Sequence, residues 1–142
     1  MVFKKENNFV IFEFKQPLLT ITVKEGLPTP EEWEETKTII KSFYESAQIG
    51  NFRFSMIFDL RKLGMLPLSY FREWADLFLD YKEKTAKYIH RTSIIIDNMV
   101  LRTSINLFFK IYTTVRPMLF AETLQEANTF VEQEYEEMVK IQ

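Results

Sequence analysis

Hydrophobic and polar positions alternate near the start of the chain in the manner of β-strands. The segments 9–14 and 18–23 are rich in aromatic and β-branched residues, which favour strands. Pro17 separates them. The pattern therefore predicts an antiparallel hairpin.

The pattern changes to a helical period at Thr29. Thr29 and Glu32 have the spacing of a capping box, and Pro30 suits the first helical position. Apolar residues then recur at helical spacings as far as Ala47, and Gly50 and Asn51 follow as a stop. These features predict a first helix with one buried face.

Strand-like and helix-like segments alternate through the rest of the chain. Strands are predicted at 52–60, 90–97 and 116–122, and helices at 67–87, at 98–115 and from a second capping motif at 123–126. A continuous isoleucine run at 94–96 indicates a strand covered on both faces, as in parallel sheets. The order ββαβαβαβα predicts one α/β domain over residues 1–142, with a mixed, mostly parallel sheet of about five strands and about four helices.

Composition narrows the classes of function. The chain has 142 residues, 46% of them hydrophobic, and a net charge of -2, which is typical of a soluble globular protein without a polyanion-binding tail. Cysteine is absent, which excludes disulfides, thiolate catalysis and Cys-ligated metals. No segment has the pattern of a signal peptide or a membrane span. We expect a cytoplasmic protein that binds no nucleic acid and has no transmembrane segment.

The sequence contains no motif of catalysis or cofactor binding. Gly26, Gly50 and Gly64 are the only glycines, and no phosphate-binding loop can be written from them. His90 is the only histidine, and we expect it to be a solvated residue at a strand end. The sequence therefore predicts that the protein is not an enzyme and uses no cofactor.

Asp59 and Asp97 follow two strands that are predicted to be neighbours. Two interpretations are open: a divalent cation between the carboxylates, or Asp59 accepting loop amides while Asp97 or Asn98 caps a helix. Because carboxylates at strand ends commonly serve the second purpose, we expect no resident metal.

Basic residues are predicted to gather at the opposite edge of the sheet. They are Arg53, Lys84, Lys87, Arg91 and Arg116. One interpretation is a patch for anionic lipid headgroups or an acidic partner. The alternative is that cations simply favour helix carboxyl ends.

The helices predicted at 67–87 and 98–115 carry more apolar residues than one buried face requires. A protein partner, a second copy of the chain or a bound apolar ligand could cover the surplus; alternatively, the aromatic residues only fill the core. The candidate binding surface comprises Phe71, Trp74, Phe78, Leu101, Ile105, Phe108, Phe109 and Tyr112. A ligand pocket between these helices and the sheet would also include Phe58.

Three stretches of the chain resemble the STAS or SpoIIAA-like fold, which is shared with CRAL-TRIO lipid-binding domains. They are FSMIFDLRKLGMLPLSYF, HRTSIIIDN and VRPMLFAETLQEANTFVEQ. In STAS antagonists of anti-sigma factors, a partner kinase phosphorylates a serine in an Asp-Ser-Ser-Gly motif at a helix start. Ser69 lies near that position, but the Asp and Gly are missing. Ser69 is thus either a candidate phosphosite or an ordinary first-turn residue.

These features predict a non-catalytic binding or regulatory module that acts through an apolar helical surface. Its expected role is protein–protein association, including association into a homodimer. The alternative is a carrier of a hydrophobic small molecule or lipid.

Overall fold

The computed structural model describes the backbone of residues 2–111 and 116–133, with side chains for 3–107 and 116–133. The strands are β1 (Val2–Glu6), β2 (Val10–Lys15), β3 (Leu18–Val23), β4 (Phe54–Asp59), β5 (Ile89–Ile95) and β6 (Met118–Ala121). The helices are α1 (Pro30–Gly50), α2 (Leu68–Asp80), α3 (Lys82–Tyr88), α4 (Met99–Ile111) and α5 (Leu124–Glu132).

The described strands form one sheet in which spatial order follows chain order from β1 to β6. The first three strands are antiparallel, and β3, β4, β5 and β6 are parallel neighbours. This confirms the predicted α/β class and the mixed, mostly parallel sheet. The extent of the domain over residues 1–142 stays a prediction.

One strand, β1, is absent from the predicted order. It pairs with β2 along its whole length, from Val2 opposite Lys15 to Glu6 opposite Ile11. The strand lies at the sheet edge and its described side chains are exposed, so its sequence carries little hydrophobic alternation. The Phe3 ring packs edge-on against Phe43 of α1, with centroids 5.5 Å apart.

The helix predicted at 67–87 is two helices, α2 and α3. The chain leaves helical geometry at Tyr81, where φ is -100° and ψ is 18°. The Tyr81 ring packs edge-on against Tyr44 of α1 at 5.1 Å, and the Tyr44 hydroxyl lies 2.9 Å from Thr85 Oγ1. Contacts with α1 therefore hold the new direction of the chain.

Two apolar clusters lie on opposite faces of the sheet. The larger cluster includes residues of α1, α2 and α4 packed against β2, β3, β4 and β5. The smaller one joins Ala127 and Val131 of α5 to Ile57, Ile95 and Ala121. The helices that follow β3, β4 and β5 thus share one face, and α5 covers part of the other.

Capping residues set helix boundaries as predicted. Thr29 Oγ1 accepts a hydrogen bond from Glu32 N at 3.1 Å, and the Glu32 carboxylate accepts from Thr29 N at 2.8 Å. Asn51 closes α1 in the left-handed conformation with φ of 52°. Thr123 caps α5 by accepting from Glu126 N at 3.1 Å.

Candidate functional site: an apolar cavity at the carboxyl edge of the sheet

The carboxyl ends of the parallel strands β3, β4 and β5 meet at one edge of the sheet. Open α/β sheets commonly bind ligands at this edge. The loop after β4 is fastened there, because Gly26 N donates to Lys62 O at 3.2 Å and Gly64 N donates to Gly26 O at 2.9 Å. A side chain at position 64 would approach Gly26 O to 3.2 Å, so glycine permits this close approach. The loop thereby covers the end of the sheet.

An apolar cavity of about 70 Å³ lies beneath this loop, between the sheet and helices α1, α2 and α4. Its lining includes Trp33, Thr36, Phe58, Leu63, Phe71, Trp74, Ala75, Ile94 and Ile105. None of its described lining residues is charged. The Thr36 hydroxyl donates to Glu32 O at 2.7 Å within α1, so its proton is already used.

Aromatic rings build one wall of the cavity. Trp33 stacks on Tyr70 with centroids 4.8 Å apart and planes inclined by 11°. Trp74 lies 5.8 Å from Trp33 and meets Phe58 edge-on at 5.3 Å. Such interlocked rings have little freedom to rotate, so the wall is preformed.

Trp33 also carries a polar group that the fold leaves unused. The residue is 4% exposed, and its indole Nε1 is buried without a hydrogen-bond partner among the described residues. A buried donor left unsatisfied costs about 1–3 kcal/mol. The sequence pattern predicts only that Trp33 lies on the buried face of α1, because periodicity carries no information about the partner of a single N–H.

Exposed apolar side chains surround the same edge of the sheet. We call this set the rim, and its members are between 51% and 83% exposed: Leu27, Met65, Leu68, Met99 and Val100. Leu68 and Met99 begin α2 and α4, which start at this edge because they follow adjacent parallel strands. Leu27 belongs to the loop after β3 and lies beside Gly64 of the loop after β4.

The predicted surface residues fall into three groups. Leu101 and Ile105 are buried in the larger core, and Phe71, Trp74 and Phe78 are partly buried against it. The side chains of Phe108 and Phe109, and all of Tyr112, lie outside the described residues. Phe58, Phe71, Trp74 and Ile105 come together in the cavity wall. Their role in binding stays a prediction.

Asp59 is engaged by Arg61 at the end of β4. Arg61 Nε and Nη2 donate to the two carboxylate oxygens at 2.9 and 2.7 Å, and Arg61 N donates at 3.2 Å. Burial opposes ionisation, but the hydrogen bonds and the charges of Arg61 and Lys62 outweigh it and lower the pKa of Asp59 below its ordinary value of 3.8. Asp59 therefore remains ionised at neutral pH.

The environment of the second aspartate differs. Asp97 is exposed, and Asn98 caps α4 by accepting from Val100 N at 2.9 Å and Leu101 N at 3.3 Å. Among the described residues, no group of three or more His, Asp or Glu side chains could hold a metal ion. The observed contacts therefore agree with the second interpretation, in which Asp59 accepts a loop amide and Asn98 caps a helix.

The prediction that His90 is solvated is wrong. His90 is 6% exposed, and its Nε2 lies 3.0 Å from Gln133 O, beyond the end of α5. Because α5 crosses back over β5, it covers a strand end that the linear pattern leaves open.

Three of the predicted basic residues meet at the opposite edge of the sheet. Burial lowers the pKa of Arg116 from its ordinary value, and the nearby charges of Arg53 and Arg91 add to the effect. The Arg116 guanidinium donates to His90 O at 3.2 Å, and Arg53 Nε donates to Lys87 O at 3.1 Å. These contacts serve strand ends and helix ends, which agrees with the alternative of cations placed for structure.

Ser69 is the second residue of α2 and is exposed. Its helix begins after Pro67 without a side-chain cap, so Ser69 is a first-turn residue and not the cap. Modification of Ser69 stays a prediction.

Solved structures establish the fold, whereas sequence comparison finds no relative. No protein-family model matches the chain, and no curated protein matches it significantly. An uncharacterized protein of the DUF3478 family with a SpoIIAA-like fold, from Shewanella loihica PV-4, matches with a TM-score of 0.58 at 16% identity, over 92% of each chain. An anti-sigma factor antagonist from Mycobacterium paratuberculosis matches with a TM-score of 0.55 at 10% identity, over 87% of this chain and 93% of the other.

These similarities confirm the predicted resemblance at the level of the fold: the chain has a SpoIIAA-like fold. At such low identity they leave the roles of individual residues open. Among the described helices, none is both long and apolar enough to cross a membrane.

Proposed function

We propose that the protein is a non-catalytic binding module that associates with other proteins, a second copy of itself included, through the rim and the adjoining helices α2 and α4. The observation that carries this proposal is the rim itself. Exposed apolar patches are characteristic of interaction sites. The rim residues are apolar and more than half exposed, and they lie at the edge where this class of sheet binds ligands.

The structural neighbours support a regulatory role. One of them is an anti-sigma factor antagonist, a protein whose action is directed at another protein. The shared fold supports protein binding as the broader role of this chain.

Sedimentation velocity over a range of protein concentrations tests the self-association. We expect a dimer that Met99→Asp and Val100→Asp each weaken at least about tenfold, because a charge would be buried at the interface. Ile49→Asp is the matched control, since Ile49 is 87% exposed at the end of α1, away from the rim. A monomer at all concentrations, or equal weakening by Ile49→Asp, would contradict self-association through the rim.

A second candidate function is the binding of a hydrophobic small molecule, and the cavity is the specific observation that favours it. An apolar space with preformed aromatic walls is the usual character of such sites. Native mass spectrometry of freshly purified protein tests this candidate, because it would detect retained ligand and subunit number in one measurement. A second mass corresponding to a bound small molecule is the expected result.

A further inference from the structure

We infer that the cavity takes an uncharged, mainly apolar molecule with one oxygen acceptor, and that this oxygen accepts a hydrogen bond from Trp33 Nε1. This inference rests on the second candidate function, the binding of a hydrophobic small molecule. Its starting point is two independent observations on one residue. Trp33 lines the cavity, and its buried Nε1 has no partner among the described residues.

The oxygen acceptor follows from the hydrogen bonds already made around the cavity. Buried polar groups in proteins are almost always paired, so an orphaned indole N–H points to a missing partner. Thr36 is the lining residue with a hydroxyl, and it donates to Glu32 O. An indole N–H only donates, so the missing partner has to be an acceptor.

The absence of charge in the ligand follows from the described lining. No charged residue is part of it, and the carboxylate at the end of β4, Asp59, is bound by Arg61. An unpaired carboxylate in such a site would lose its hydration without compensation. A cation could be attracted to the aromatic faces, but it would leave the Trp33 N–H unpaired.

The size of the cavity limits what it encloses. Its volume is about 70 Å³, which exceeds the ~10–15 Å³ that one water needs and falls short of the ~150 Å³ of a cavity known to hold benzene. The enclosed portion is therefore a short chain of a few carbons with its oxygen. A molecule with as many non-hydrogen atoms as benzene, such as a five-carbon ketone, would place its oxygen and first carbons in the cavity and extend its far end past the apolar rim.

Nuclear magnetic resonance of the indole groups provides the first test. The chain has 2 tryptophans, so its ¹H–¹⁵N spectrum contains two indole signals, and Trp33→Phe assigns them. We expect 2-pentanone to move the Trp33 indole proton downfield as the hydrogen bond forms. Pentane should fill the same space without this downfield shift, and a change of the same sign and size with pentane would overturn the inference.

Affinities of the two probes for the wild type and for Trp33→Phe provide the second test. Loss of the donor should weaken 2-pentanone about tenfold and change pentane by less than about twofold. Equal weakening of both probes would show that Trp33 only packs, which would overturn the inference while leaving hydrophobic binding intact. If neither probe binds the wild type, the second candidate function fails as well.

Charged probes complete the design. Pentanoate and tetramethylammonium should bind at least about tenfold more weakly than 2-pentanone, because neither finds a counter-charge in the cavity. Tighter binding of either ion would overturn the inference that the ligand is uncharged. The wild-type measurements stand on their own, so the test does not depend on the folding of Trp33→Phe.

Discussion

The carboxylate of Asp59 shows how one residue can secure the loop that covers the cavity. Asp59 ends β4 at 7% exposure and holds both the side chain and the backbone N–H of Arg61. Charge-assisted, bidentate contacts of this type are stronger than neutral hydrogen bonds. The ion pair therefore fixes the direction in which the chain leaves the sheet.

Replacing Asp59 by Asn should lower the free energy of unfolding by about 1–2 kcal/mol at pH 7, because Arg61 would lose an ionised acceptor while remaining able to reach water. Denaturant titration of the two proteins measures the difference. Asp97→Asn makes the same chemical change at an exposed site, and we expect it to alter stability by less than about 0.5 kcal/mol.

The pH dependence of this difference in unfolding free energy can also be predicted. The pKa of Asp59 is lower in the folded protein than its ordinary value of 3.8, so the carboxylate stabilises the fold fully above that value. This contribution is lost as the pH falls through the folded pKa. The stability difference between the wild type and Asp59→Asn should therefore shrink below about pH 4, and a constant difference down to pH 2 would contradict the assignment.

The sequence predicts some of the residues that line the cavity but not the hydrogen bonding of its polar groups. Phe58, Phe71, Trp74 and Ile105 could be placed near one pocket from the sequence, because their elements follow each other in a parallel sheet. The unpaired N–H of Trp33 could not be predicted from the sequence, since hydrogen-bond partners depend on rotamers and on neighbouring elements.

Helix α1 illustrates an element whose boundary is written in its sequence. Thr29→Ala should lower the free energy of unfolding by about 1 kcal/mol, because Glu32 N would lose the Oγ1 acceptor at 3.1 Å. Thr38→Ala provides the matched control in the same helix, since Thr38 is exposed in its interior and alanine favours helix there. Thermal or denaturant unfolding would contradict the prediction if the two variants were equally stable.

The same local logic explains which elements escape prediction. Caps and strand periods are encoded within a few neighbouring residues, so α1 and the four internal strands are recognisable. The edge strand β1 is defined by pairing with β2, and Lys4 and Lys5 disguise its period. The break at Tyr81 has no Gly or Pro to mark it, because contacts from Tyr44 of α1 hold it.

At the scale of the whole molecule, most of the described helices pack on one face of the sheet, with a space among them. The larger core contains residues of α1, α2 and α4, and the cavity lies where these helices converge on β3, β4 and β5. Apolar space of this kind forfeits packing contacts that the surrounding side chains could make. The cavity therefore lowers the stability of the fold while it provides space for a ligand.

Filling the cavity with a side chain of the protein distinguishes its effect on stability from its effect on ligand binding. Ala75 of α2 lines the cavity and is 6% exposed, so Ala75→Leu would place about three additional carbons in the space while preserving helix propensity. We expect the free energy of unfolding to stay constant or to rise by up to about 1 kcal/mol, whereas the indole response to 2-pentanone should disappear.

Ala86→Leu adds the same atoms at an exposed position of α3 and should change neither property. Unfolding curves and titrations of the indole signals measure both in the same samples. If Ala75→Leu lost more than about 2 kcal/mol, the added atoms would be overpacking a filled core, and the cavity would offer no space for a ligand. If the variant kept the ketone response, the ligand would have to bind elsewhere, because the same volume cannot hold both the leucine side chain and the ketone.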